Sequence, residues 1–381
     1  MTSTSVRYPA SAGDADRRPA DAAARLPLPR PRGPLSAALL AGLTAGGPTP
    51  DAHDRLAPVR AAATEDLSGT DGDPAGEPGR GVLGDGDLQL ALTVLYELHH
   101  RGVEGIDDAW EWEPALLAVR QLLERPFEVA VRARAGQPVC DEADAAGVAR
   151  RLFELAEADG APSLARYVAK RADARQAREF LVLRSIYQLM EADPHTWAIP
   201  RLHDVPKAAL VEIQADEYGG GRPGHLHSEL FARAMRGAGL DDTYGRYLDV
   251  VPTPVLTSLN TMSLFALHRR LRGAIVGHLA AYEITSSIPS RLYGDGFRRL
   301  GYDADTTHYF DEHVEADSVH EQIAARDLAG RLVEQQPGLR DDVLLGAAAC
   351  LAIDGDVGAY ALDRWKADAS ALLVPLDDTP L

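Results

Sequence analysis

The chain of 381 residues has a formal net charge of −18 and a pI near 5.1, which excludes electrostatic binding to a nucleic-acid backbone or an anionic membrane and favours holding cations. Apolar residues make up 45%, with Leu and Ala ahead of Val, Ile and the aromatics, so an all-α fold with a sizeable core is expected. Cys140 and Cys350 are too few for a disulfide framework or a structural zinc site and fit a reducing, cytoplasmic compartment.

Residues 1 to 80 are rich in Ala, Pro, Asp, Gly and Arg without a sustained apolar period and predict a mostly disordered tail. The exception is Pro34 to Leu43, which reads as a short helix that docks on the body. A secretory signal flanked by Arg30 and Arg32 is the rival reading, weakened by its distance from the start and by the acids before it. No apolar run approaches the ~20 residues of a membrane span.

From Asp85 the leucines fall at helical spacing and open an N-terminal helical region, 81–160, completed by helices near 113–134 and 141–158. Glu97 and His100 form the Glu-x-x-His unit of carboxylate-bridged metal bundles, although the polar side of a structural helix explains them more simply. Trp110 and Trp112 read as packing plugs. The core region, 161–370, begins with a long helix expected over Leu164 to Ala192, buried through Phe180, Leu181, Leu183, Ile186, Tyr187 and Met190 and ended by Pro194. Glu191 falls in its last turn, where the negative end of the helix dipole disfavours a carboxylate unless a cation is near; an exposed terminal Glu is the plain alternative. Asp193, His195 and Trp197 lie just beyond and are placed to line the same cavity.

Glu217 and His227 would stand about 15 Å apart on an unbroken helix, too far for one metal. Gly219, Gly220, Gly221, Pro223 and Gly224 between them cannot continue a regular helix, so the chain can fold back and join the two. A plain turn with His225 and His227 as surface residues is the simpler reading. A phosphate cradle is excluded, because no Lys-Ser/Thr follows and no strand precedes. Residues 261–287 predict another long helix, in which Glu283 needs either exposure or a cationic partner. His268 and His278 on it read as core or supporting groups.

His313, Asp317 and His320 stand at i, i+4 and i+7 and share one helix face. Imidazole and carboxylate suit iron, zinc and related divalent ions. A solvated acidic face is the bland reading, but Asp311, Glu312, Glu315 and Ser318 already supply a polar outer side. Two further helices over 339–373 close the bundle.

Together Glu191, Glu217, His227, Glu283, His313, Asp317 and His320 come from four helical segments, the pattern of a bundle-core metal site. The four carboxylates would be neutralised by two divalent irons and left partly uncompensated by one. On Asp-Glu-Tyr-Gly-Gly-Gly followed by His227, Glu-Ala-Asp-Pro-His-Thr-Trp from Glu191, Ala-Tyr-Glu-Ile-Thr-Ser-Ser around Glu283, and the run ending at His320, the sequence resembles the heme-oxygenase-like diiron oxidases and oxygenases. The likeness is closest to the group called iron-containing redox enzymes and covers roughly 85 to 365, with Pro-Arg-Gly-Pro-Leu-Ser at 31–36 also fitting.

The resemblance implies a bundle of about seven core helices, two Fe2+ held by those seven residues, and dioxygen as co-substrate. In this family dioxygen is reduced to a peroxo-diiron species that oxidises a small organic substrate. The three histidines resemble the N-oxygenating branch, which implies an amine or amino-acid-derived substrate. A haem-binding role would leave the ligands unexplained, and a thiaminase-like role lacks a nucleophile. The alternative of another class is a metal-binding structural or regulatory protein of the same fold. The partners expected are a small-molecule substrate and an electron donor that the sequence does not name. No nucleic acid or membrane is expected, and a homodimer is compatible with the sequence.

Overall fold

The computed structural model describes residues 25–68, 81–142, 144–158 and 163–376, leaving aside the side chains of 66–68 and 315–318. The disordered tail expected over 1–24 and 69–80 lies outside the described residues. Among them there is no strand, only an isolated bridge between Leu26 and Val103.

The principal helices are α1 (Pro34–Thr44), α2 (Ala57–Ser68), α3 (Gly86–Glu97), α4 (Pro114–Ala135), α5 (Ala145–Glu157), α6 (Leu164–Lys170), α7 (Ala174–Gln188), α8 (Asp204–Glu217), α9 (His227–Gly237), α10 (Thr253–Leu267), α11 (Arg272–Arg299), α12 (Ala304–Gln322) and α13 (Arg340–Lys366). The expected short helix is α1, and it docks through buried Leu35, Leu39 and Leu43. Asp87 fixes it by accepting from the backbone N–H groups of Leu35 and Ser36 at 2.7 and 2.8 Å, a cap supplied from another helix. The stretch after α1 is more structured than its composition suggested. α2 forms there and buries Val59 and Ala63, because its few apolar residues have α1 and α4 to pack on.

Three helix expectations are corrected. The single helix over 164–192 is two, because Asp173 and Gln176 form a reciprocal cap that starts α7 afresh. The helix over 261–287 is also broken, at His268, which is extended. There Arg201 donates to the carbonyls of Ala266 and Leu267, the last of α10, and His268 turns its Nε2 to Glu124 at 2.9 Å. In contrast, the two helices expected over 339–373 are one continuous α13.

α11 and α13 form the centre of the bundle. Gly277 on α11 and Gly346 on α13 let the backbones touch, since a Cβ at either would run into the backbone of Val343 or Ala274. The segment Pro337–Lys366 is long and apolar enough to cross a membrane by length and composition alone, yet here it packs within the bundle. α12 runs directly into a π-helical stretch, Ile323–Gly330, a form that often accompanies functional sites.

Candidate metal centre

Four segments deliver the site. α7 ends at Gln188, and Glu191 follows in a turn closed by the left-handed Ala192, at φ 74°. α8 ends at Glu217, and α9 begins at His227. Between them Gly219, Gly220 and Gly221 all have positive φ, which folds the chain back as the glycine run predicts. Gly219 is doubly required, because a Cβ there would strike the backbone of His225. Glu283 projects from α11, and His313 and His320 from α12.

Ligand-type atoms of Glu191, Glu217, His227 and His313 all lie within 4.8 Å of one another, and so do those of Glu217, Glu283 and His320. Glu217 belongs to both groups. The structure therefore brings together six of the seven sequence candidates. Asp317 lies on α12 between the two histidines, but its side chain is outside the described residues.

Supporting contacts fix which nitrogen each histidine offers. His313 Nδ1 is held by the Tyr309 carbonyl at 2.7 Å, so its Nε2 faces Glu191 at 3.5 Å. His320 Nε2 meets Asp216 at 2.9 Å, leaving Nδ1 toward Glu283 at 3.5 Å. Such an orienting bond on the far nitrogen is usual for metal-binding histidines. The Tyr309 hydroxyl donates to Glu191, 2.9 and 3.1 Å from its two oxygens. The Tyr309 ring packs on His313 and Phe231, with centroids 4.3 and 5.0 Å away. Tyr309 and Asp216 were missed from the sequence, although their positions, four before His313 and one before Glu217, are where such supports belong.

The apposed groups fit a metal. Glu217 Oε2 and His227 Nδ1 stand 2.9 Å apart, yet neither completes a hydrogen bond of acceptable geometry, and both are buried. They face each other as a buried ion pair without a directed hydrogen bond, and a divalent cation would engage both atoms.

Residues 178–355 match the model of a family described as iron-containing redox enzyme. The match spans just under half of the chain and shows this region to be similar to that family. Over 162 residues the chain is 29% identical to nitrosourea synthase from Streptomyces achromogenes subsp. streptozoticus, a match covering 42% of this chain and 34% of that protein. The chain thus matches about a third of the length of this curated relative. The matched region contains every candidate ligand.

Around the cluster the local charges favour cations. Burial opposes ionisation of Glu217, but His227, His313 and His320 around it hold its carboxyl well below the usual range. Burial likewise opposes a charged His227, and Glu217 outweighs it, so that imidazole is raised. His320 is raised to about 9, its burial outweighed by Glu283 and Asp216.

A cavity of about 370 Å³ reaches the cluster, lined by Glu191, Glu217, Glu283 and His313 at one part and by Phe180, Tyr187, Tyr282, Tyr293 and Phe310 elsewhere. That size suits a small organic molecule. His195 lines it as expected, whereas Asp193 binds Arg101 and Tyr218 and Trp197 packs on His100. Glu97 is buried against the Tyr244 hydroxyl at 2.6 Å and takes no part in either ligand group. Trp110 is the packing plug expected, while Trp112 is 62% exposed.

Proposed function

We propose that this protein is a non-haem diiron oxidase or oxygenase that uses dioxygen to oxidise a small organic substrate. The observation that carries the reading is the sharing of Glu217 between two compact ligand groups, one with Glu191, His227 and His313 and one with Glu283 and His320. A carboxylate with an oxygen for each of two ions is the natural bridge of a paired centre. Asp317 is counted with them on its spacing alone, four residues after His313 and three before His320.

Bound ferrous ions would supply electrons to dioxygen and open positions at which it meets substrate. The chain's own residues do the rest. Tyr309 and Asp216 aim Glu191, His313 and His320, and the aromatic walls of the cavity keep bulk water from the substrate. The similarity to a nitrosourea synthase supports an amine or amino-acid-derived substrate. A reducing, cytoplasmic setting agrees with the two buried free cysteines.

Anaerobic reconstitution with Fe2+ tests the reading. Wild type should hold about two irons per chain and consume dioxygen once reduced. Glu217→Ala should lose both ions and Glu283→Ala about one, as expected when only Glu217 serves both groups. Folded protein that takes up no iron would sink the assignment. Iron uptake without oxygen consumption would instead favour a structural or regulatory metal protein.

A further inference from the structure

The cavity contains a polar device that the metal centre does not use. Arg184 and Gln188 stand at i and i+4 and share one side of α7, and Glu191 follows in the turn beyond its end. Arg184 and Glu191 both line the cavity, Arg184 about two helical turns of chain before Glu191. Beside Arg184, from α13, stands Asp354, and both residues line the cavity with 27% and 21% of their side-chain surfaces accessible.

Their contact is loose. Arg184 Nη1 and Asp354 Oδ2 are 3.5 Å apart, against about 2.7–2.9 Å for a closed charge-assisted bond. Asp354 is itself held in place by Ser258, whose hydroxyl donates to Oδ1 at 2.6 Å. Arg184 lies over the Phe180 ring, 5.9 Å from its centroid. Both charges are thus anchored from behind, while the space where they meet is open to a guest.

A second observation concerns the stretch between this pair and the metals. Gln188 and Gln214 line the cavity, and the side-chain oxygen of each is buried without a hydrogen-bond partner. For Gln214 the amide orientation is fixed, because its Nε2 donates to the Ala192 carbonyl at 3.2 Å. These oxygens call for N–H or O–H donors from a ligand.

We infer that Arg184 and Asp354 form the head-group subsite of the cavity. It takes a zwitterion, a carboxylate on Arg184 beside an ammonium on Asp354, whose side chain presents N–H groups to Gln188 and Gln214 on its way to the metals. A guanidinium gives a carboxylate two parallel bonds, and the neighbouring carboxylate accepts the adjacent ammonium. An uncharged or purely apolar substrate would leave the pair and both amide oxygens unanswered. The inference rests on the diiron reading only for which end of the substrate reacts; the subsite itself is read from α7, α8 and α13.

The test is calorimetric binding to anaerobic protein, with and without Fe2+, using L-ornithine, L-lysine and L-arginine as probes. The comparison ligands are putrescine, cadaverine and agmatine, which lack the carboxylate, and 5-aminopentanoate and 6-aminohexanoate, which lack the α-ammonium. At least one amino acid should bind, and losing either head-group charge should weaken it at least about tenfold, the worth of one charge-assisted bond. The double variant R184M/D354N nearly keeps the volume and removes both charges together, which leaves no buried charge unpaired. It should bind the amino acid and its decarboxylated partner alike while keeping wild-type iron content. R184K, retaining the charge but not the fork, should fall between. The inference is overturned if no probe binds, if the amines bind as tightly as the amino acids, or if the double variant keeps the discrimination. Iron content is measured separately, so a head-group failure in iron-loaded protein leaves the diiron reading standing. Absence of iron with intact head-group selectivity does the reverse.

Discussion

Tyr309→Phe removes one oxygen and leaves the aromatic packing on His313 and Phe231 in place, so it isolates the hydroxyl's bond to Glu191. A hydrogen bond to a charged group contributes about 1.5–3 kcal/mol. At about 1.4 kcal/mol per decade, that is a tenfold to hundredfold loss in affinity, which matches the usual cost of removing a residue that orients a metal ligand. The loss should fall on one ion only. Glu191 belongs to the group with His227 and His313, whereas Glu283 and His320 have no contact with Tyr309 among those described. Anaerobic Fe2+ titration followed by metal analysis should therefore show one site filling as in wild type and the other weakened, with the folded state intact by circular dichroism. An unchanged titration, or equal weakening of both ions, would refute the argument that Tyr309 acts through Glu191.

Two further outcomes are expected. His100→Ala should leave iron content near wild type, because His100 packs edge-on to Trp197 and belongs to neither ligand group. The same variant has a pH signature. Burial, with Arg101 nearby, lowers the His100 pKa to about 4 from 6.5, so between those values the unfolded chain takes up a proton that the folded one refuses and stability is lost as pH falls. Urea unfolding at pH 7 and pH 5 should show a shallower acid loss in the variant, and an unchanged loss would refute the assignment. Secondly, hydrogen exchange should slow over residues 308–322 on anaerobic iron addition and change little over 272–288. Ligation energy becomes folding energy for the segment that carries the ligands, and α12 brings buried His313 and His320 to the site. Equal protection with and without iron would show that α12 needs no metal.

The cluster of candidate ligands was legible because several of its carboxylates and histidines stand where local helix rules do not favour them. Glu191 sits at the wrong end of a dipole, Glu217 and His227 flank a run of glycines, and His313 and His320 recur on one helix face at i and i+7. Helix continuity was less legible. The breaks at Asp173 and His268 depend on a reciprocal cap with Gln176 and on Arg201 reaching the carbonyls of Ala266 and Leu267. The first leaves a short trace in the sequence, Asp followed three residues later by Gln, which the apolar periodicity around it masked. The second is made by a residue 65 positions away and leaves none. Tyr309, Asp216 and the Arg184–Asp354 pair escaped for the same reason, since their meaning lies in what they face.

The site divides mechanically along the same lines. Glu283 stands on α11, which packs backbone to backbone on α13 at Gly277 and Gly346, where no Cβ can be accommodated. Glu191, Glu217 and His227 instead stand at the ends of helices, each next to a left-handed residue or a glycine turn, and His313 and His320 ride on a helix that passes into a π-helical stretch. On the proposed diiron reading, the ligands at helix ends would adjust to bound ions more readily than Glu283 on its rigid wall, because helix ends move at less cost than a packed helix interior. The same rigid wall holds Asp354 on α13 in a fixed relation to Glu283.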